Sequence, residues 1–306
     1  MGGAGAAPDH WRWRCRTLCG LAAREAGVDA VVIERDAIPS GSTALSAGLF
    51  PAAGTRFQRV KGIVDCPDRL AADIQRKACG EAPAALVEIV ARGSARLIEW
   101  LTYRHALPFE LIDNFNYPGH SAFRMHGLPT RTGRELIDRL RNAAELSEIV
   151  VLTGCIAETL FAEKGGRVRG LEIVRRDGKR ERIGCDAAIL GCSGYGGNPD
   201  LVRHFIPEMA DALYFGHPGN RGDAVLWGER LGAELACLDA YQGHGSVATP
   251  HNADTGCGQR RRTRGQDARS CGHFCRGMAR TGCACRATVT FAVPGPATAH
   301  DGPGRN

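Results

Sequence analysis

The chain has 306 residues, 43% hydrophobic and 24% charged, with a formal net charge of +6. This is ordinary globular usage, long enough for one large domain or two ordinary ones, and it excludes a collagen-like, coiled-coil or wholly disordered chain. No apolar run reaches the ~18 residues of a membrane span, and no basic start leads into an apolar stretch as in a secretory signal. Thirteen cysteines cannot all pair, and their scatter reads as free thiols of a reducing compartment, so a cytoplasmic protein is expected.

Residues 1–20 are atypical. Pro8 to Gly20 has neither helical nor strand periodicity, and the segment is expected to be disordered. Gly3-Ala4-Gly5-Ala6-Ala7 could open a Gly-x-Gly-x-x-Gly loop, in which backbone N–H groups and a helix N-terminus approach a pyrophosphate. Pro8 stands at the third glycine, however, and no strand precedes Gly3. Leu21 to Gly27 reads as the end of a helix with Gly27 as its stop. Ala30-Val31-Val32-Ile33-Glu34 is then a short β-branched strand closed by an acid, the second half of a dinucleotide-binding βαβ unit. Pro39 and Gly41 mark a turn, and Ser42 and Thr43 follow at an expected helix N-cap, where hydroxyls and free N–H groups suit a phosphate. Ser46, Ala47 and Gly48 are small enough for a flat ring to lie on backbone.

Further along, Ala95 to Leu101 reads as a helix with Trp100 on its core face. Thr132 opens an amphipathic helix with Leu136, Ile137 and Leu140 on one side. Gly165-Gly166 and Asp177-Gly178 are hairpin turns separating strands near 156–162, 168–175 and 179–183, a β-meander. The charges at Arg175-Arg176 and Lys179-Arg180 flank a turn and read as solvated. Cys66, Cys79, Cys155, Cys185, Cys192 and Cys237 lack metal-ligand spacing, and His120, His204, His217 and His251 read as surface or turn residues.

These motifs together resemble the FAD-binding domain of the fumarate reductase and succinate dehydrogenase flavoprotein superfamily. The resemblance runs in order through Glu34, the segment Gly41 to Gly48, Thr132-Gly133-Arg134-Glu135-Leu136, the meander, Ala187 to Asn198 (which implies a strand over Ala187 to Leu190 running into Gly191-Cys192-Ser193-Gly194), Gly219-Asn220-Arg221-Gly222-Asp223 and Gln242-Gly243-His244. It implies an α/β fold: a Rossmann-like FAD-binding domain over 21–197 with a parallel sheet and a β-meander, its first βα unit incomplete. The start of a capping domain follows over 198–252. It implies FAD as cofactor, with Glu34 on the adenosine ribose, and Ser42 and Thr43 on the pyrophosphate. Ser46, Ala47 and Gly48 would lie near the flavin ring, and Ala157 would meet adenine through its backbone. Ser193 and Gly194 would pass close to the cofactor, Asp223 would bind it from its turn, and His244 would bind a substrate carboxylate or carbonyl. His126 is similar to a family histidine. The implied chemistry is hydride transfer between flavin N5 and a C–C bond beside a carboxylate or carbonyl of a small-molecule acid or ketone.

Residues 253–306 contain no Leu, Ile, Glu or Lys but nine Arg and five Cys. Such a tail buries too little apolar surface to offset chain ordering and is expected to be disordered. Its composition suits an off-frame reading of GC-rich coding sequence beginning near Asn252. Zinc at Cys271, His273, Cys275, Cys283 and Cys285 would need paired spacing that is absent. The run Arg260-Arg261-Arg262 with Arg264, and Trp11 and Trp13 between arginines, would be the footprint of a nucleic-acid binder; no nucleic-acid partner is expected. The family's proton-donating arginine and later substrate-binding groups have no counterpart after Asn252, so the alternative is an inactive fragment of such a flavoprotein, with the catalytic residues unknown.

Overall fold

The computed structural model describes residues 12–39, 41–44, 46–212, 214 and 216–241. The Gly3 loop, His244, His251 and the Arg-rich tail lie outside them. Helix α1 (Arg12–Glu25) is the first described element. It starts well before the expected position, which corrects the reading of 12–20 as disordered. Tertiary packing decides the matter rather than periodicity: Thr17 and Leu21 are wholly buried, and Leu18 packs on the same core. Gly27 ends α1 as expected, at φ 75°, with its N–H donating to Arg24 O and Val28 N–H to Ala23 O.

Strand β1 (Val31–Ile33) follows, then α2 (Gly41–Ala44), β2 (Phe50–Pro51), α3 (Arg56–Val60), α4 (Pro67–Lys77) and α5 (Ala84–Tyr103). Next come β3 (Glu110–Ile112), β4 (Met125–Gly127), α6 (Gly133–Leu146) and β5 (Val150–Leu152). Strands β6 (Cys155–Ala162), β7 (Val168–Arg175) and β8 (Arg180–Gly184) precede α7 (Pro199–Phe205), a 3-10 turn (Pro207–Met209) and α8 (Asp223–Arg230).

The fold is mixed α/β. Strands β1 and β5 form a parallel pair, Val32 opposite Val151. Strands β2, β4 and β3 form one antiparallel sheet, and β6, β7 and β8 the meander, with turns at Gly166 and Gly178 in the left-handed region. The expected helix at Thr132 is α6: Thr132 Oγ1 accepts from Glu135 N–H, and Leu136, Ile137 and Leu140 are buried against α1. Each such side chain contributes about 1.5–3 kcal/mol. Trp100 packs on the same core and donates from Nε1 to Glu25 Oε2 at 2.8 Å. A second apolar cluster joins Tyr195, Val202, Ile206, Val225 and Leu238.

Two local expectations need correction. Ala187 to Leu190 is not a strand; none of the described strands pairs with it, and an extended segment without a ladder partner is not a stable strand. Ser42 and Thr43 sit inside the single turn of α2 rather than at its N-cap. The meander charges are solvated as expected, with Arg176, Lys179 and Arg180 exposed, and they also pair across strands: Arg180 reaches Glu158 at 2.8 Å and Glu172 at 2.7 Å, and Arg175 reaches Glu181 at 2.8 Å.

Candidate functional site

Three loops converge at the C-terminal end of β1, the end at which ligands bind in open α/β sheets. The first is the 34–48 segment. Glu34 continues the ladder of β1: its N–H donates to Leu152 O at 2.8 Å, and its own carbonyl accepts from Cys155 N–H at 2.8 Å. That second bond brings the start of β6, two residues before Ala157, beside the acid. The Glu34 side chain is only 1% exposed. One carboxylate oxygen accepts from Asp36 N–H at 2.9 Å and the other from Arg16 Nη2 at 2.6 Å.

Beyond the turn, Ser42 and Thr43 are buried. Ser42 Oγ accepts from His217 N–H at 3.3 Å. Thr43 is 1% exposed and its Oγ1 has no hydrogen-bond partner among the described residues, a cost of about 1–3 kcal/mol unless something binds there. The small segment after it is stitched to α6. Ser46 Oγ donates to Thr43 O at 2.6 Å, Gly133 N–H donates to Ser46 O at 2.7 Å, and Gly48 N–H donates to Ser46 Oγ at 3.1 Å. Gly48 has φ 63°, and a Cβ there would lie 2.9 Å from Thr132 O, so only glycine fits. Ala47 is exposed.

The second loop is 191–197. Gly191 lies against the aliphatic part of Arg16, and Gly194 faces open space, where an added methyl would meet no atom within 4 Å. Between them Ser193 holds φ 63°, a conformation that costs an L-residue about 1–2 kcal/mol. Ser193→Gly should therefore raise folding stability by about 1 kcal/mol. Urea denaturation of the two proteins checks this, and an unchanged or lowered midpoint counts against it.

The third loop is 217–223. His217 was expected at the surface and is 2% exposed; its Nε2 lies 3.4 Å from Asp36 Oδ2. Burial pushes its pKa down to about 4 against the pull of its own backbone carbonyl, so the ring is neutral at pH 7. Asp223 opens α8 after Gly222 at φ 80° and lies 3.6 Å from Arg35, which also donates to Gly219 O at 3.4 Å. Gly197 N–H donates to Asn220 O at 2.9 Å, fastening the second loop to the third.

Bonds thus tie the segment of Glu34, Ser42 and Thr43 to the loop of Asp223, and Arg16 bridges Glu34 to Gly191 at the start of the loop that carries Ser193 and Gly194. His126 does not join them. It is wholly buried between Thr55 and the chain of Arg124, with Thr55 Oγ1 2.9 Å from Nε2 and Arg124 O 2.9 Å from Nδ1. A carbonyl only accepts, so Nδ1 carries the hydrogen and Nε2 accepts from the Thr55 hydroxyl. Burial, the largest cause, holds the His126 pKa at about 4 despite the Arg124 and Phe50 backbone bonds. Beside it lies a buried ionic cluster. Arg124, itself 0% exposed, reaches Asp65 at 2.9 Å and Asp73 at 2.7 Å. Asp73 also accepts from Ser121 N–H and Oγ at 2.8 Å each, and from Arg76. Burial opposes the Asp73 charge, but the Ser121 bonds, the Arg76 bond and the Arg124 charge outweigh it and hold its pKa at about 2.

One feature of the crevice was missed in the sequence. A Cβ on Gly20 would lie 3.1 Å from Val32 Cγ2, which is the close helix–strand approach of the third fingerprint glycine. Counting back places Cys15 and Thr17 at the first two glycine positions, and Cys15 precedes Glu34 by 19 residues, the usual distance of about 20 from loop to acid. The run Gly20-Leu21-Ala22-Ala23 was the available signal.

The FAD binding domain family model matches residues 17–271. The chain belongs to the FAD-binding domain family. The family's cofactor is FAD, and the relatives are fumarate reductase-type flavoproteins. A probable fumarate reductase of Shewanella frigidimarina, Ifc3, is 27% identical over 227 residues, 74% of this chain and 38% of its own length. A urocanate reductase of Eggerthella lenta is 28% identical over 236 residues, 76% of this chain and 39% of its own. Among solved structures, the open conformation of a flavocytochrome c3 fumarate reductase superposes with a TM-score of 0.72 at 25% identity, over 82% of this chain and 43% of that one. A 3-ketosteroid-Δ4-(5α)-dehydrogenase from Rhodococcus jostii RHA1 gives 0.65 at 22% identity, over 73% and 53%, and shares the fold. The chain therefore spans less than half the length of the two curated relatives.

Whether FAD fits the crevice as folded divides by end. At the Ser42–Thr43 end the unpartnered Thr43 hydroxyl suits a phosphate-bearing ligand. At the Glu34 end they do not, because both carboxylate oxygens are engaged and covered. A shallow cavity of about 630 Å³ over α5, lined by Arg59, Arg92, Glu99, Trp100 and Tyr103, includes none of the three loops. Among the described residues no group of three or more His, Cys, Asp or Glu is placed to hold a metal, and no helix is long and apolar enough to cross a membrane.

Proposed function

We propose that the chain is the flavin-binding part of an oxidoreductase acting on a C–C bond next to a carboxylate or carbonyl. Bound FAD would supply a hydride acceptor and donor at its flavin ring. In this reading Thr43 and Ser42 hold the pyrophosphate by their hydroxyls, and Glu34 takes the adenosine ribose once it is accessible. Ser46, Ala47 and Gly48 form a flat floor under the ring, with the Ala157 backbone at adenine, Ser193 and Gly194 alongside, and Asp223 at the third loop. His244 would bind the substrate. The substrate class is a small carboxylate or ketone; the named activities of the relatives, fumarate and urocanate reduction, support a carboxylate. The free thiols of Cys66, Cys155 and Cys185 support a reducing compartment, the cytoplasm.

The observation that carries this reading is the buried, unpartnered Thr43 hydroxyl, next to the Ser42–His217 bond that joins two of the loops, in a chain of this family. Thr43→Val removes that hydroxyl at nearly constant volume, and FAD affinity measured by flavin fluorescence quenching should fall about tenfold. A purified chain that stays colourless and takes up no FAD on titration overturns the reading.

A further inference from the structure

We propose that Arg16 is a gate on the adenosine end of the crevice: its guanidinium occupies the Glu34 carboxylate, and any adenosine-bearing nucleotide must displace it to enter. The inference rests on the reading of Glu34 as the ribose acid. Arg16 is held at three points. Nη2 donates to Glu34 Oε2 at 2.6 Å, Nη1 donates to Ile33 O at the end of β1, and its stem lies against Gly191, where even a methyl would meet it. The remaining carboxylate oxygen accepts from Asp36 N–H, and the acid is 1% exposed.

The position of Arg16 explains the contact. It lies between Cys15 and Thr17, the residues at the first two glycine positions, and α1 runs on as a helix through both. A loop of glycines there would bring bare backbone to the ligand. A helix brings a side chain instead, and this one is the right length and charge to meet the acid. A ribose offers two neutral hydroxyl donors, whereas the guanidinium makes charge-assisted bonds roughly twice as strong. Nucleotide binding must therefore give up the stronger pair, and the penalty falls on the adenosine half alone.

The test uses the intact chain with three probes: FAD, ADP and FMN, which lacks adenosine. Arg16→Gln should tighten FAD and ADP by roughly tenfold or more and leave FMN unchanged. Adding Glu34→Gln should abolish the gain. Arg16→Lys, which keeps a cation but not the paired geometry, should tighten both by a smaller factor, and it serves if Arg16→Gln does not fold. Unchanged or weaker binding of FAD and ADP in both Arg16 variants overturns the gate. If Glu34→Gln alone weakens FAD while the Arg16 variants gain nothing, only the gate falls. If adding Glu34→Gln to Arg16→Gln leaves the gain in place, the ribose assignment falls and takes the gate with it.

Discussion

Arg124→Leu should cost about 3–5 kcal/mol of folding stability, the largest single effect expected in this chain. The reason is the pair of carboxylates it would strand. Asp65 and Asp73 both point at Arg124, and removing one partner of a buried ionic cluster leaves uncompensated charge away from water. The cluster is further tied in by Gln58, whose Nε2 donates to Asp65 at 2.9 Å and to Phe123 O at 2.8 Å. Replacing the acids as well, by Asp65→Asn and Asp73→Asn in the Arg124→Leu background, should recover part of the loss, because no net charge then stays buried. Urea denaturation of the single and triple variants measures both. A single-variant loss below about 1 kcal/mol would mean that water reaches the cluster and that the ionic account is wrong.

Acidification should weaken the fold in two steps, and the first comes from His126. Its folded-state pKa is about 4, against an ordinary value near 6.5. Below pH ~6.5 the unfolded chain takes up a proton that the folded chain refuses, so stability falls as pH drops from about 6.5 to 4. The loss reaches about 3 kcal/mol for this one group, and His217, shifted the same way by burial, acts in the same window. The second step belongs to Asp73. Its depressed pKa makes a contribution that is whole above pH ~4 and is lost as pH falls toward 2. Urea midpoints at pH 7.5 and 4.5 check the first step. A flat midpoint across that range sinks it, and His126→Gln should remove the His126 share of the slope.

The legible parts of this fold are those written in local pattern. The meander was readable because Gly166 and Gly178 mark its turns and the strands between them have defined ends. Helix α6 was readable from Thr132 and the Leu136, Ile137, Leu140 stripe, and β1 from its β-branched run. What failed depends on distant partners. Ala187 to Leu190 has a strand's composition, but a strand is a pairing, and its neighbour is not encoded in those four residues. The segment before Gly20 has no amphipathic period, yet α1 runs through it because Thr17, Leu18 and Leu21 find a core. In the crevice, the residue types of the 34–48 and 191–194 segments could be read directly. That Arg16 would reach Glu34, or that His217 would be buried rather than solvated, depends on how three loops close over one another.

Gly48 links the crevice to the scaffold mechanically. Its missing side chain lets the 46–48 backbone lie directly on the cap of α6, with Gly133 N–H donating to Ser46 O. At that spot even an added methyl group would pry the segment and the helix cap apart, so the position of 46–48 is set by backbone against backbone rather than by side-chain packing.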